Sequence, residues 1–157
     1  MAGAKQVNAK PLPQEYAKSQ VSNSIIDSGT NHLLLAPDVY AAIISSLNEV
    51  NPEFAQMAQQ AAKERVVPTS SLHLDKWPDI TFIMKGKNGG QEFLTCTPLT
   101  YWQIDAPEAG QATLQIYNST GVQSVLGLPL LNNYFTVFDR TQDPYGVVRF
   151  APIAAPP

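Results

Sequence analysis

Asp27 is the residue whose surroundings most strongly suggest chemistry. It lies within Ile25–Leu35, IIDSGTNHLLL, between two apolar runs of the kind that form buried strands. Because an ionised carboxylate without a partner is costly to bury, Asp27 is expected on the turn between these strands. There it either caps the turn by accepting backbone N–H groups, as Asp often does, or is presented to a cleft as a reactive group. These few residues alone favour the capping interpretation.

The three residues after Asp27 supply what either interpretation needs. Gly29 lets the backbone approach the carboxylate closely, and the hydroxyl groups of Ser28 and Thr30 can hold it in place. Ser28 would need a paired His to act as a nucleophile itself, and the sequence shows no such pair. The loop therefore indicates a held carboxylate rather than an activated serine.

Other reactive side chains give weaker signals. His32 and His73 lie far apart and have no acidic or Cys neighbours at ligand spacing, so neither a metal site nor a cofactor is expected. Cys96 lies in an apolar segment and is expected to be a small buried side chain.

Composition restricts the partners and the compartment. The 157 residues are 44% apolar and 15% charged, and 10 Lys and Arg stand against 13 Asp and Glu. Without a basic stripe, neither nucleic acid nor an anionic membrane is the expected partner. The chain also lacks an apolar run of about 18 residues, a signal-peptide h-region and a second cysteine. A cytoplasmic location is therefore favoured, with a secreted or periplasmic one open if the first residue is an internal boundary.

The elements that must position the loop are strands with two helices near the front. Residues 21–35 read as strand, turn and strand. Apolar residues at helical spacing after Pro37 predict an amphipathic helix of about three turns. Asn51 is a suitable N-cap for a second helix that starts at Pro52 and ends near Arg65.

The second half of the chain predicts strands. A hairpin turning at Gly89-Gly90 is the clearest local signal. The predicted strands are Ile80–Met84, Phe93–Thr97, Leu114–Tyr117, Val125–Leu126, Tyr134–Phe138 and Val147–Phe150. Residues 1–20 are expected to form a loose arm or an edge strand, residues 21–152 one folded unit, and residues 153–157 a disordered tail.

Three ordered segments resemble the C-terminal lobe of pepsin-like aspartic proteases. They are IIDSGTNHLLLAPDVYAAI (25–43), WPDITFIMKG (77–86) and SVLGLPLLNNYFTVFDR (124–140). The resemblance implies a mostly β fold, a single lobe with a ψ-shaped catalytic loop motif and two to three short helices. Leu128 and Pro129 depart from the family, where a polar residue often follows the glycine. The missing disulfide suggests a bacterial or other disulfide-free homologue.

The resemblance also implies roles for the loop. Asp27 matches the C-lobe member of the catalytic pair, and Ser28 matches the residue that joins the two lobes' active-site loops. Gly29 matches the donor of an N–H toward the carboxylates, and Thr30 matches the hydroxyl that bonds the outer carboxylate oxygen. Residues Val125, Leu126 and Gly127 match the element that packs under the loop and completes the ψ motif.

The implied reaction needs two aspartates and no metal or cofactor. One activates a water molecule that attacks the scissile carbonyl of a polypeptide, and the other, protonated, polarises the carbonyl oxygen. No second Asp-Thr/Ser-Gly occurs in the sequence. The chain is therefore expected to be the C-terminal lobe of a two-lobed endopeptidase that is inactive alone. The alternatives are a homodimer with one Asp27 per subunit, and a non-proteolytic binding module on the same scaffold.

Overall fold

A computed structural model describes residues 6–13, 22–141 and 146–153. The strands in this part of the chain are β1 (Ser24–Ile26), β2 (Leu33–Leu35), β3 (Val67–Pro68), β4 (Ile80–Lys85), β5 (Gln91–Cys96), β6 (Trp102–Ile104), β7 (Gln111–Leu114), β8 (Ile116–Asn118), β9 (Ser124–Leu126), β10 (Tyr134–Asp139) and β11 (Val147–Pro152). The α-helices are α1 (Pro37–Val50), α2 (Pro52–Glu64), α3 (Pro98–Tyr101) and α4 (Leu128–Leu131). The predicted class, mostly β with a few short helices, is confirmed.

The helices α1 and α2 form where the sequence predicts them. Each begins with proline at its first position, where the missing N–H costs no helical hydrogen bond. Asn51 separates them: its backbone N–H donates to Leu47 of α1, and its side-chain oxygen accepts from the N–H of Glu53 at 3.0 Å. Both helices bury their apolar faces in the core, and Met57 of α2 packs against it.

The sheet that carries Asp27 has the strand order β1-β9-β2-β8. Strand β9 lies between β1 and β2, although these two are neighbours in sequence. It runs parallel to β1, with Ile26 opposite Leu126, and antiparallel to β2, with Leu33 opposite Leu126. Strand β8 pairs with β2 in parallel. The two arms around Asp27 are therefore joined through a strand from the far end of the chain.

The other strands form three small sheets. They are β3-β7-β6, the hairpin β4-β5 and the hairpin β10-β11. The predicted strand Leu114–Tyr117 is wrong in one respect, because the structure has two strands there, β7 and β8, in different sheets. The break is at Gln115, whose N–H donates to Tyr101 and whose carbonyl accepts from Leu33, both at 2.8 Å. Helix α3 and strand β6 lie in a region for which no element was predicted.

Aromatic side chains form the centre of the core. Trp77 stacks on Phe54 with ring centroids 4.6 Å apart and meets Trp102 edge-on at 5.1 Å. Tyr101 is buried and donates its hydroxyl to the carbonyl of Pro78 at 2.7 Å. Phe93, by contrast, is 59% exposed and belongs to the surface of the β4-β5 hairpin. Tyr101 and Trp102 therefore belong to the core rather than to a cleft wall.

A group of polar side chains joins β5, α3 and α4; we call Cys96, Thr97, Thr100 and Asn133 the Asn133 cluster. The amide nitrogen of Asn133 donates to the carbonyl of Pro129 at 2.8 Å and to the Thr100 hydroxyl at 3.0 Å. Its amide oxygen accepts from the Thr97 hydroxyl at 3.1 Å. Cys96 is fully buried, as predicted, and donates to the carbonyl of Pro129 at 3.0 Å. The cluster fixes the position of the helix that follows β9.

Two predicted end segments are only partly described. Residues 6–13 contain no strand, and the backbone N–H of Lys10 donates to the carboxylate of Asp38 at 2.7 Å. The rest of the arm 1–20 and nearly all of the tail 153–157 lie outside the described residues, so the boundaries at 21 and 152 stay predictions.

In the part of the chain that the structure describes, none of the helices has the length and hydropathy of a membrane span.

Candidate active site

The Asp27 loop, residues 27–30, bridges the end of strand β9. The N–H of Asp27 donates to the carbonyl of Leu126 at 3.1 Å, and the N–H of Leu128 donates to the carbonyl of Thr30 at 2.8 Å. The loop is thus attached at both ends to the segment that contains Gly127. Its backbone position depends on β9 as much as on its own strands.

Gly127 is required by the space under the Asp27 loop. A Cβ atom added to Gly127 would collide with the carbonyl oxygens of Thr30 and His32. The φ angle of Gly127 is −95°, which any residue can adopt, so close approach rather than backbone conformation demands glycine here. The two chain segments therefore pack at a distance that excludes every side chain.

The Asp27 carboxylate is held by its own loop. Oδ1 accepts from the N–H of Gly29 at 2.8 Å, and Oδ2 accepts from the hydroxyl of Thr30 at 2.6 Å. The Thr30 bond first, and the Gly29 bond second, lower the pKa of Asp27, because both stabilise the ionised form. Ser28 is exposed, and its hydroxyl has no partner among the residues that the structure describes.

Asp27 opens onto a cleft of about 420 Å³ between its loop and the end of the β10-β11 hairpin. Asp139 lines the same cleft, but its carboxylate pairs with Arg149 at 3.2 Å and accepts from the hydroxyl and N–H of Thr141 at 2.6 and 2.9 Å. The Thr141 bonds first, and Arg149 after them, lower the pKa of Asp139. The carboxylate of Asp27 bonds to Gly29 and Thr30, that of Asp139 bonds to Thr141 and Arg149, and no hydrogen bond joins the two carboxylates.

Comparison with known families identifies the class of protein. The sequence model of the eukaryotic aspartyl protease family matches residues 5–152. The chain belongs to this family. It is therefore a protein of the aspartic-type peptidase class, for which polypeptides are the substrates. No curated protein matches the chain.

All seven residues predicted for this aspartyl protease's site lie around one loop. Residues Asp27, Ser28, Gly29 and Thr30 form the loop itself, and Val125, Leu126 and Gly127 form the strand and turn beneath it. Their catalytic and supporting roles remain proposals. The sequence did not reveal that Asp139 lines the cleft, although this residue belongs to the motif YFTVFDR, because its distance from Asp27 depends on how the hairpin packs.

The remaining reactive groups do not assemble into a second centre. Within residues 6–13, 22–141 and 146–153, no three His, Cys, Asp or Glu side chains are arranged to hold a metal ion. His32 is half-buried, and its Nδ1 lies 2.8 Å from the amide oxygen of Asn31. Burial raises the pKa of Cys96 to about 12, which keeps its thiol protonated and unreactive at neutral pH.

Proposed function

We propose that this chain supplies the C-terminal half of a two-lobed aspartic endopeptidase. Asp27 is its catalytic carboxylate, and a second aspartate from another lobe completes the site. The observation that carries the proposal is the state of Asp27: a carboxylate held by Gly29 and Thr30 faces an open cleft, and no second carboxylate bonds to it among the described residues.

The chemistry of the reaction explains why a second carboxylate is needed. A lone Asp27, with its pKa lowered, is ionised at any pH well above the usual range of aspartate. It can accept a proton from water but has none to give to the carbonyl oxygen of the substrate. A second carboxylate within hydrogen-bond distance raises the pKa of one member of the pair, which then keeps a proton and serves as the acid.

The loop has the groups that such a pair requires. Gly29 and Thr30 fix the plane of the carboxylate by occupying one lone pair on each oxygen. The remaining lone pairs are available to water and to the second carboxylate. The hydroxyl of Ser28, which has no partner in the described part of the chain, lies beside Asp27 and is suited to bond the backbone of the opposite loop.

Exposed apolar side chains on strand β10 support the need for a second lobe. On β10, Phe135 is 66% exposed, Val137 is 55% exposed and Phe138 is 48% exposed. Phe138 also lines the cleft that contains Asp27. Burial of such side chains is favourable by about 25 cal/mol per Å² of apolar area, so a lobe that covered them would bind next to the site it completes.

A homodimer is the second candidate, because Asp27 and Ser28 lie at the surface where a two-fold axis can bring two copies together. Velocity sedimentation of the purified chain, combined with cleavage of a peptide library at several protein concentrations, distinguishes the candidates. The proposal predicts a monomer without cleavage until the other lobe is added. A pepstatin-sensitive dimer whose rate rises with the square of protein concentration at low concentration would overturn it in favour of the homodimer.

A binding module remains the third possibility from the sequence. If the chain with its complementary lobe binds peptides but cleaves none of the library, and Asp27→Asn leaves binding unchanged, the proteolytic proposal is wrong. Cleavage that Asp27→Asn abolishes would exclude the binding module.

A further inference from the structure

A second cavity, of about 390 Å³, begins at the residue that follows the Asp27 loop. Asn31 and His32 form one wall, the residue after helix α2 forms another, and the β6-β7 hairpin and strand β8 complete it. No Asp or Glu side chain of the described residues lines it. Asp105, in the neighbouring turn, has its carboxylate engaged by the N–H of Gly110 at 2.9 Å. The cavity is therefore without a negative charge of its own.

Hydrogen bonds in the floor of this cavity engage two side-chain oxygens, those of Gln103 and Thr113, and leave donors on the same residues. Gln115 is nearly buried, and its amide nitrogen donates to Oε1 of Gln103 at 3.1 Å and to the hydroxyl of Thr113 at 2.7 Å. The amide nitrogen of Gln103 donates no hydrogen bond to another described residue, so both of its hydrogens are available to a ligand. The hydroxyl hydrogen of Thr113 is free for the same reason.

The wall next to the Asp27 loop adds a donor from Asn31 and the ring of His32, whose Nε2 is an acceptor when Nδ1 carries the only ring proton. Nδ1 of His32 lies 2.8 Å from Oδ1 of Asn31, and because an amide oxygen only accepts, the imidazole nitrogen is the donor. The Asn31 amide nitrogen remains as a free donor. The imidazole ring is also fixed by an edge-on contact with Tyr117, at 5.1 Å between ring centroids.

Arg65 adds a positive charge at the rim. It follows helix α2 with a φ angle of 72°, a left-handed conformation that costs a side-chain-bearing residue roughly 1 kcal/mol and normally favours glycine. Its guanidinium group has no ion pair or hydrogen bond with the residues that the structure describes. A cation with five donors therefore stands unpaired beside a cavity already rich in donors.

We propose that this cavity is a specificity subsite that takes the carboxylate side chain of an Asp or Glu in the polypeptide substrate. The proposal rests on the proposed function for the nature of the substrate. Since Asn31 directly follows Thr30, which bonds Asp27, the cavity starts beside the reaction centre. An extended peptide advances about 3.3 Å per residue, so the acidic side chain is within a few residues of the bond that is cut.

Binding by the chain alone tests the subsite without requiring catalysis. The probes are two blocked pentapeptides, Ser-Ala-Glu-Ala-Ser and its Gln counterpart, titrated into ¹⁵N-labelled protein. The Glu peptide is expected to shift the backbone amides of Asn31, Arg65 and Gln103 and to bind about three- to fivefold tighter than the Gln peptide, as one solvent-exposed ion pair allows. Equal affinities, or shifts elsewhere on the surface, would overturn the proposal.

Two matched variants test whether Arg65 causes the tighter binding of the Glu peptide. Arg65→Gln is expected to bring the affinity ratio of the two peptides close to one. Lys63→Gln removes the same charge from the same helix end, outside the cavity, and is expected to leave the ratio unchanged. Equal effects of the two substitutions would mean that only net charge matters, and the subsite would be rejected.

Cleavage assays on the assembled protease separate failure of the subsite from failure of the proposed function. Preference for a Glu-containing substrate that Arg65→Gln removes supports both proposals. Asp27-dependent cleavage without any such preference would reject the subsite and keep the protease. Arg65-dependent binding of the Glu peptide, without cleavage under any condition, would keep the subsite and reject the protease.

Discussion

The Asp27 loop and the Asn133 cluster are both small networks of polar side chains at the end of a strand, yet they differ in exposure. In the loop, Gly29 and Thr30 hold a carboxylate that still faces an open cleft. In the cluster, Asn133 and Cys96 turn their polar atoms toward backbone carbonyls and hydroxyls of packed segments. The carboxylate in the Asp27 loop keeps lone pairs that a ligand can use, whereas the polar groups of the Asn133 cluster bond to one another and to nearby backbone carbonyls. Under the proposed function, similar chemistry thus serves reaction in the Asp27 loop and stability in the Asn133 cluster.

The largest expected effect separates activity from stability at the loop. We expect Asp27→Asn to lower kcat/KM of the assembled protease by about 10³-fold or more, because the group that accepts the proton of water is lost. The thermal unfolding midpoint should stay close to that of the parent, since the side chain is solvent-accessible. Peptide cleavage and calorimetry measure the two quantities. A large fall in stability would show that Asp27 is structural after all.

Gly127→Ala tests the segment on which the loop rests. The added methyl group collides with two carbonyl oxygens of the backbone, so we expect the free energy of unfolding to fall by about 3 kcal/mol, the upper part of the range for overpacking. Denaturant titration measures it. Gly90→Ala is the control, because a Cβ atom there meets nothing within 4 Å. Equal effects of the two would contradict the close packing under the loop.

Asn133→Ala should have the opposite effects to Asp27→Asn: it should lower stability and leave the pH dependence of activity unchanged. It leaves carbonyl and hydroxyl groups of the cluster without a partner, and we expect a loss of about 2 kcal/mol in the free energy of unfolding. The pH profile of the assembled protease should not move, since no group of the cluster lines the cleft. A changed pH profile at full folding would remove the distinction between the two networks.

Thr30→Val is expected to have the smallest effect, a change in the pKa of Asp27 alone. Loss of the hydroxyl removes the largest cause of the lowered Asp27 pKa, so this pKa rises. Because the ionised carboxylate is the base, the acid limb of the kcat/KM profile should move to higher pH, with Thr30→Ser as the control that keeps the bond. An unchanged acid limb in Thr30→Val would show that the hydroxyl does not act on the reacting carboxylate.

The Asp27 loop and the helices after it could be predicted because their signals are local. Proline and Asn51 mark the helix starts, and the apolar arms of Asp27 mark its strands. The break at Gln115 could not be predicted, since the residue is bonded to Tyr101 and Leu33, which come from other parts of the chain. The cavity beside Arg65 could not be predicted for the same reason, because its lining residues come from separate segments that meet only in the folded chain.

The position of strand β9 also determines when the Asp27 loop can form during synthesis. Ser24 pairs with Ser124, so 100 residues separate the partners that hold the first arm of the loop. At about 5–20 residues per second, a ribosome needs roughly 5–20 s to make the intervening chain. Until then strand β1 lacks its pairing partner β9, and the N–H of Asp27 lacks its acceptor, the carbonyl of Leu126. In a nascent chain of this protein, the loop around the Asp27 carboxylate is therefore not yet in its folded conformation. The order of translation delays that conformation until residues 124–126 of β9 have emerged.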